Sequence, residues 1–420
     1  MKLLHVSDWH LGRVTYNASR AEDHDKIIAE ILDIARQGTP DLILHTGDLF
    51  ESIRPAYEDM DRAVKALLAL SEIAPVVVLC GNHDSPALFR LFSRLLGEDT
   101  RVRFIDKPRM VDDGGILSFP IEKGEIIRLA TLPFVHANRM VQHFERPENW
   151  MAAYADRINL IQSHLYEGLK SFGSAKDVLV FAAHLHVAGA TFSNSERAIH
   201  VTEQYATRPE HVPLVSYAAF GHIHKPQRLP LSQNGWYAGS PIQLDFGEAG
   251  EQKQVLFVEA EPGRPPNIEP VALSGGRPLR KIEGTLEDIK RLGATLKNTM
   301  CLVTVETATP MANLSEMVRD LLPDSVVLQV EESCSAKKVV ALRREDAEAV
   351  EPTFEELFRE YLGEAGTKGA AVDRVLSTFS SLLAAVEHEE KPGFAEEKLL
   401  EEIGPGGLVA PSAPVPGGLS

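Results

Sequence analysis

Pro75-Val76-Val77-Val78-Leu79-Cys80-Gly81-Asn82-His83-Asp84 is the stretch on which the reading of this 420-residue chain turns. Val76 to Leu79 has the β-branched content and length of a buried strand. The apolar run stops at Gly81, which lets the backbone turn sharply, and three polar residues follow. In an open α/β sheet, ligands collect outside the carboxyl ends of the strands, where Asn82, His83 and Asp84 would stand. By itself such an ending is equally a polar turn that closes a strand.

The pattern recurs. Lys2-Leu3-Leu4-His5-Val6-Ser7 leads to Asp8-Trp9-His10, and Asp41-Leu42-Ile43-Leu44-His45-Thr46-Gly47 leads to Asp48. Val178 to Ala183 leads to His184, and Val215 to Gly221 leads to His222-Ile223-His224. Five strand-like runs each deliver Asp, Asn or His just past their last apolar residue, which predicts oxygen and imidazole ligands gathered at one edge of one sheet. Between the runs lie helical signals: Ile27, Ile28, Ile31, Leu32 and Ala35, then residues 57–70. Strand–helix–strand alternation predicts parallel crossovers.

Further along, Pro86 to Leu96 reads as a short helix bearing Leu88, Phe89, Leu91 and Phe92. Core packing is the default for such a face, and a subunit interface the sharper reading. Residues 101–134 read as short β segments. Trp150, Tyr154, Ile158, Ile161, Leu165 and Leu169 mark a long amphipathic helix. Residues 235–241 read as a tight turn region and 254–258 as a late strand. The Pro/Gly-rich stretch 261–278 reads as a linker, with a domain boundary near 275. A compact α/β unit follows to about 345: strand 279–283, helix 285–297, strand 301–306, helix 313–322 capped by Asn313, strand 325–331. From Thr353 the pattern is helical, with one apolar face on Phe354, Leu357, Phe358, Tyr361 and Leu362 and another from Val372 to Val386. Two helices cannot bury such faces alone, so they are expected to dock on something. Residues 404–420 carry no charge and read as a disordered tail.

Composition is ordinary for a globular protein, at 44% hydrophobic and 25% charged residues. No run of 18 apolar residues suggests a membrane helix, and no basic leader with an apolar core precedes the first strand. Three scattered cysteines suit a reducing cytoplasm, with Cys80 a small buried hydrophobe. The net charge of −17 disfavours a strongly basic DNA clamp. Residues 345–420 carry −11 of it, and the remainder includes carboxylates that bound cations would offset.

Asp8, His10, Asp48, Asn82, His184, His222 and His224 form a carboxylate, amide and imidazole set without thiolate, which suits Mn²⁺, Fe²⁺ or Zn²⁺ better than Ca²⁺. Seven ligands are too many for one such ion and fit two sharing a bridge, with Asp48 as the natural bridge. Two metals are an effective clamp for in-line displacement at phosphorus. His83, beside a ligand, is a candidate to protonate the leaving alkoxide or stabilise charge, and Asp84 a candidate to fix its tautomer. His5 and His45 lie inside strands and read as satisfied core histidines. His186 reads as a loop histidine within reach of substrate, while His136, His143 and His164 have no motif around them.

Asp8-Trp9-His10-Leu11-Gly12, Gly47-Asp48-Leu49-Phe50, Gly81-Asn82-His83-Asp84 and Gly221-His222-Ile223-His224 resemble the motifs of the calcineurin-like metallophosphoesterases. With Gly239-Ser240-Pro241-Ile242-Gln243 and the domain order, they are similar to that family's DNA-processing branch. The resemblance implies a β-sandwich flanked by helices in residues 1–275, a small capping domain over 276–345 and a partner-binding helical region over 346–403. It implies one metal on Asp8, His10, Asp48 and His224, the other on Asp48, Asn82, His184 and His222, and His83 as the catalytic histidine. It further implies Mn²⁺, exonuclease and endonuclease activity on DNA in repair and recombination, a homodimer, and a coiled-coil ATPase partner held through residues 353–387. Two rivals stand beside it. One is a phosphoesterase for a small molecule or phosphoprotein, which would need neither the cap nor an exposed helix pair. The other is a non-catalytic scaffold, which would have no reason to keep the whole ligand set.

Overall fold

The computed structural model describes residues 1–335 apart from 98, 122–123, 136–146, 194, 197–205 and 294, together with 372, 375 and 376. Residues 1–336 form one compact unit and 337–420 another. In the second, Val372, Val375 and Leu376 are helical. The rest of the helix pair expected over 353–387, the tail 404–420, His136 and His143 lie outside the described residues.

Two six-stranded sheets make up the body of the first unit. In the first, β1 (Lys2–Val6) and β4 (Leu42–His45) run parallel to β5 (Val76–Leu79) and β6 (Val102–Ile105). On the other side of β1, β13 (Gln254–Glu259) and β14 (Asn267–Ala272) are antiparallel. A small hairpin, β2 (Val14–Thr15) and β3 (Ala18–Ser19), stands apart. The second sheet has parallel β8 (Ile126–Leu132), β9 (Val178–His184), β10 (Tyr217–Gly221) and β12 (Gly235–Tyr237) at its centre. Antiparallel β7 (Ile116–Pro120) and β11 (Gln227–Arg228) border it.

The residues explain the layers. Successive strand side chains point to opposite faces, so Leu3 enters the core between the sheets while Leu4 enters the core under the helices. Leu42, Leu44, Val77 and Leu79 meet Leu129, Val180 and Ala219 of the other sheet. Ile43, Val76 and Val78 meet α1 (Ala21–Gly38), α2 (Tyr57–Ile73) and α3 (Pro86–Leu96) through Ile27, Ile31, Leu67, Leu70 and Phe89. On the far face, Tyr154, Ile158, Leu165 and Leu169 of α4 (Pro147–Phe172) cover Phe181 and Phe220. Both faces of the central strands are thus buried, which is why β4, β5, β9 and β10 read as unbroken apolar runs rather than alternating ones.

Several expectations are corrected. The ligand-bearing strands belong to two sheets, not one: β1, β4 and β5 lie in the first, β9 and β10 in the second. The Pro/Gly-rich stretch is not only a linker, because it contains β14. Pro270 is tolerated there since β14 is an edge strand with one neighbour. Residues 235–237 are a strand, held by parallel pairing to β10 that no local signal announces. A third sheet, all parallel, joins β15 (Leu279–Gly284), β16 (Met300–Thr307) and β17 (Val326–Cys334), with α5 (Leu286–Gly293) and α6 (Leu314–Leu321) packed on it. Asn313 precedes α6 in a left-handed conformation, and its side chain makes no cap hydrogen bond. All three cysteines are buried thiols. Among the described residues no helix is long and apolar enough to cross a membrane.

Candidate metal centre

The two sheets bring their carboxyl ends to the same place. Backbone bonds fasten the first two loops together: Asp8 N donates to Gly47 O (2.9 Å), His10 N to Asp48 O (3.0 Å) and Leu11 N to Leu49 O (3.0 Å). Asp8, His10, Asp48 and His222 all have left-handed backbone, with φ of 50°, 49°, 52° and 100°. Such conformations are uncommon for residues with a side chain and concentrate at functional sites. Two motif glycines are required by close approach. A Cβ on Gly47, at φ +110°, would lie 2.3 Å from Nδ1 of His184, and one on Gly81 would lie 2.1 Å from Oδ1 of Asp48.

All nine residues expected at the site are brought together and buried: Asp8, His10, Asp48, Asn82, His83, Asp84, His184, His222 and His224. Potential ligand atoms of Asp8, His10, Asp48 and His224 lie within 4.8 Å of one another, and so do those of Asp48, His184 and His222. Asp48 belongs to both groups. Its Oδ2 is 3.6 Å from His10 Nε2 and 3.5 Å from His184 Nε2. Asn82 Oδ1 joins the second group, 2.9 Å from His184 Nε2 and 2.8 Å from His222 Nδ1.

Hydrogen bonds behind the rings tell which nitrogen faces the cluster. His184 Nδ1 donates to the Thr46 carbonyl at 2.8 Å, and His10 Nδ1 donates to Glu51 Oε2 at 2.9 Å. With Nδ1 so engaged, the inward Nε2 of each ring is the position left to take a proton or a metal. His184 Nε2 looks at two oxygen acceptors, and His10 Nε2 looks at His224 Nε2 across 3.1 Å. Inward ring nitrogens and carboxylate and amide oxygens facing one another in a buried site call for a cation among them, a proton or a metal ion. The electrostatics agree. Burial pushes the His184 imidazole down, but the charges of Asp48 and Asp8 hold it up to about 9. Burial pushes the Asp48 carboxyl up, but His184, His83 and His10 hold it well below the usual carboxylate range. A cluster that holds a proton against burial holds a cation by the same attraction. The His/Asp cluster therefore fits a dinuclear metal site.

The expectation for Asp84 is corrected. Its carboxylate accepts from the backbone amides of Gly81 (2.9 Å), Phe50 (2.9 Å) and Leu49 (3.2 Å). It is a clamp between two loops and does not set the tautomer of His83. Burial and the nearby Asp48 charge push it up to about 7. The tautomer of His83 is set instead by the Glu51 carbonyl, 2.8 Å from Nδ1. The His83 ring stands edge-on to His10 at 4.6 Å, and its backbone N–H donates to Asp48 Oδ1 at 2.8 Å.

Among the remaining histidines, His5 is satisfied by Tyr217 Oη (2.8 Å) and Thr46 Oγ1 (2.9 Å). His45 is only half satisfied: Nδ1 accepts from Gly47 N at 3.3 Å and Nε2 has no partner. His186 is buried against Phe192. Sequence reasoning missed Glu51, although it lies three residues past Asp48. It also missed Ser195, Glu196 and Glu248, whose contacts with His224 span 24 to 29 residues and left no local trace.

Comparison with known proteins agrees with this geometry. Residues 1–226 match the calcineurin-like phosphoesterase family, and residues 276–365 match the type 5 capsule protein repressor C-terminal domain. The chain is 30% identical to the D component of the SbcCD nuclease of Bacillus subtilis over 67% of this chain and 72% of that protein. It is 27% identical to the same component of the Escherichia coli K12 nuclease over 69% and 72%. A dimetal phosphatase from Danio rerio overlaps more loosely, with a TM-score of 0.37 and 11% identity over 65% of this chain and 99% of that one. The chain belongs to the calcineurin-like phosphoesterases and, within them, to the family of the D components of SbcCD nucleases.

Proposed function

We propose that this chain is the nuclease subunit of an SbcCD-type complex, a manganese-dependent DNA exonuclease on duplex ends and endonuclease on single strands and hairpins. One observation carries the reading: a buried cluster centred on Asp48, at the meeting edge of two sheets, in a chain whose relatives are named nucleases. The assigned ligands are Asp8, His10, Asp48 and His224 for one ion and Asp48, Asn82, His184 and His222 for the other. Two divalent cations there would supply charge neutralisation at the phosphoryl oxygens and a water of lowered pKa at neutral pH.

The chain's own groups do the rest. Asp48 sits between the two ligand groups and fixes their spacing. His83, with Nδ1 committed to the Glu51 carbonyl, has Nε2 to carry the proton delivered to the leaving alkoxide. Asp84 holds the two loops that present His83 and Asp48. Burial of the whole set keeps bulk water from competing for these charges.

The same reading divides the chain into a catalytic part to about 275, a cap to about 345 and a helical region to about 403. It includes a homodimer, an SbcC-type coiled-coil ATPase docked on residues 353–387, and action on DNA repair and recombination in the cytoplasm, at the nucleoid when on DNA. The test is a nuclease assay on linear duplex and hairpin DNA with Mn²⁺, with and without the co-purified ATPase. The full chain is compared with one lacking residues 350–420. Expected are Mn²⁺-dependent cleavage, stimulation by the ATPase and ATP, and loss of that stimulation alone in the shortened chain. Hydrolysis of small phosphomonoesters without any cleavage of DNA would overturn it.

A further inference from the structure

His224 is held at its backbone and its ring at once. Its backbone N–H donates to Glu196 Oε1 at 3.0 Å, and its carbonyl accepts from Lys253 Nζ and Ser240 N, each at 3.0 Å. Behind its ring lies Glu248, which is fully buried. Ser195 Oγ is 2.6 Å from His224 Nδ1 and donates to Glu248 Oε1, while the direct separation of Nδ1 and Oε1 is 3.3 Å. The other carboxylate oxygen accepts from Lys253 Nζ (2.7 Å) and Leu244 N (3.1 Å).

For a neutral His224 ring beside an ionised Glu248, the proton count along this chain has one solution. An ionised carboxylate only accepts, and a serine hydroxyl has one proton to give. With that proton turned to Glu248, Ser195 Oγ accepts from His224, so Nδ1 carries the imidazole proton. Nε2 is then the lone pair, and it is the nitrogen that faces His10 Nε2 across 3.1 Å. His10 is backed in the same sense by Glu51. Second-layer carboxylates of this kind fix ring orientation and tautomer at metal sites.

We propose that Glu248 is a positioning residue which, through Ser195, holds His224 in the tautomer whose Nε2 lone pair points into the cluster. Lys253 balances its charge and ties the carbonyl of the same histidine. The inference rests on the reading of His224 as a metal ligand. Its consequence is that a neutral amide at 248 reverses the chain. The amide donates to Ser195 Oγ, the hydroxyl turns to donate to Nδ1, and the imidazole proton moves to Nε2, where it blocks the metal.

The test compares the wild-type chain with Glu248→Gln combined with Lys253→Met, which removes both charges of the buried Glu248–Lys253 pair and leaves the partly exposed Glu251 to water and Ser193. Two measurements are made. The first is ¹⁵N NMR of the histidines in metal-free protein at a pH where the His224 ring is neutral. The second is calorimetric titration with Mn²⁺ alone. The wild type is expected to show a proton on Nδ1 of His224 and to take up two equivalents. The double variant is expected to show the proton on Nε2 and to bind one equivalent roughly 10- to 100-fold more weakly, the other unchanged. Ser195→Ala leaves Glu248 within reach of Nδ1 and is expected to keep the wild-type tautomer. A wild-type His224 with its proton on Nε2 overturns the proposal without any variant, so the test survives a double variant that does not fold. So does a folded double variant with unchanged tautomer and affinity. Fewer than two equivalents in the wild type would instead count against the dinuclear reading, while the tautomer measurement still decides the role of Glu248.

Discussion

At the scale of the residue, the cluster is built from side chains that strand ends deliver and loops then force into place. The ligand types were legible because each follows an apolar run, and the motif glycines were legible as turns. What was not legible is why the glycines are there: the Gly81 Cβ position is occupied by an Asp48 oxygen from a loop 33 residues earlier. The role of Asp84 was misread for a related reason, since its three partners are backbone amides that carry no side-chain signature. Chemistry and metal binding should separate cleanly at this scale. Asp48→Ala is expected to lower bound metal at both positions and abolish phosphodiesterase activity, because one carboxylate serves both groups. His83→Ala is expected to keep metal content near normal and slow turnover by ~10²–10⁴, the usual range for a lost general acid. Metal analysis beside single-turnover rates checks both, and loss of metal in His83→Ala would make His83 a ligand.

At the scale of the element, α3 was legible end to end. Ser85 accepts from Leu88 N as its N-cap, Pro86 opens the first turn, and Gly97 follows the last residue. β14 and β12 were hidden, since an edge strand with proline and a three-residue strand depend on partners distant in sequence. α3 also sharpens the proposed dimer. Of the four apolar residues the sequence offers for core or interface, Phe89 and Phe92 are in the core and Leu88 packs against it. The exposed apolar positions are Leu91 and Leu95, with Tyr57 at the start of α2 and Ile53 just before it. Leu91→Glu with Leu95→Glu is therefore expected to give a folded monomer with the same circular dichroism as the parent, whereas Phe92→Glu would unfold the protein by burying a charge. Sedimentation at micromolar concentration decides it. A parent chain that already sediments as a monomer removes the interface.

At the scale of the whole molecule, the sandwich is joined by polar groups as well as by its apolar middle, and this makes it sensitive to acid. The sequence pointed to one sheet because β1, β4 and β5 carry the same signal as β9 and β10, and nothing local distinguishes membership. His5 on β1 reaches Tyr217 on β10 and Thr46 beyond β4, so a histidine bolts the two sheets together. Burial pushes His5 down to about 3, His45 to about 3 and His24 to about 4. Unfolded, each takes up a proton as the pH falls through ~6.5. Folded, none does until pH 3 to 4. Across that window the unfolded chain binds more protons than the folded one, so stability falls as the pH falls and is fully present only above the unfolded value. His24 allows this to be measured at a histidine that is not itself in the metal cluster, although it braces the loop between Asp8 and His10: its Nε2 donates to the Trp9 carbonyl at 2.9 Å, and Nδ1 has no partner. A glutamine amide can make the same bond without titrating. His24→Gln is expected to keep the pH 7 denaturant midpoint within the usual range for a single substitution, and to reduce the fall in stability between pH 6 and pH 5 by one proton's worth of slope. Urea unfolding of both proteins at pH 7, 6 and 5 checks this, and parallel stability–pH curves would mean that His24 is already protonated in the folded state.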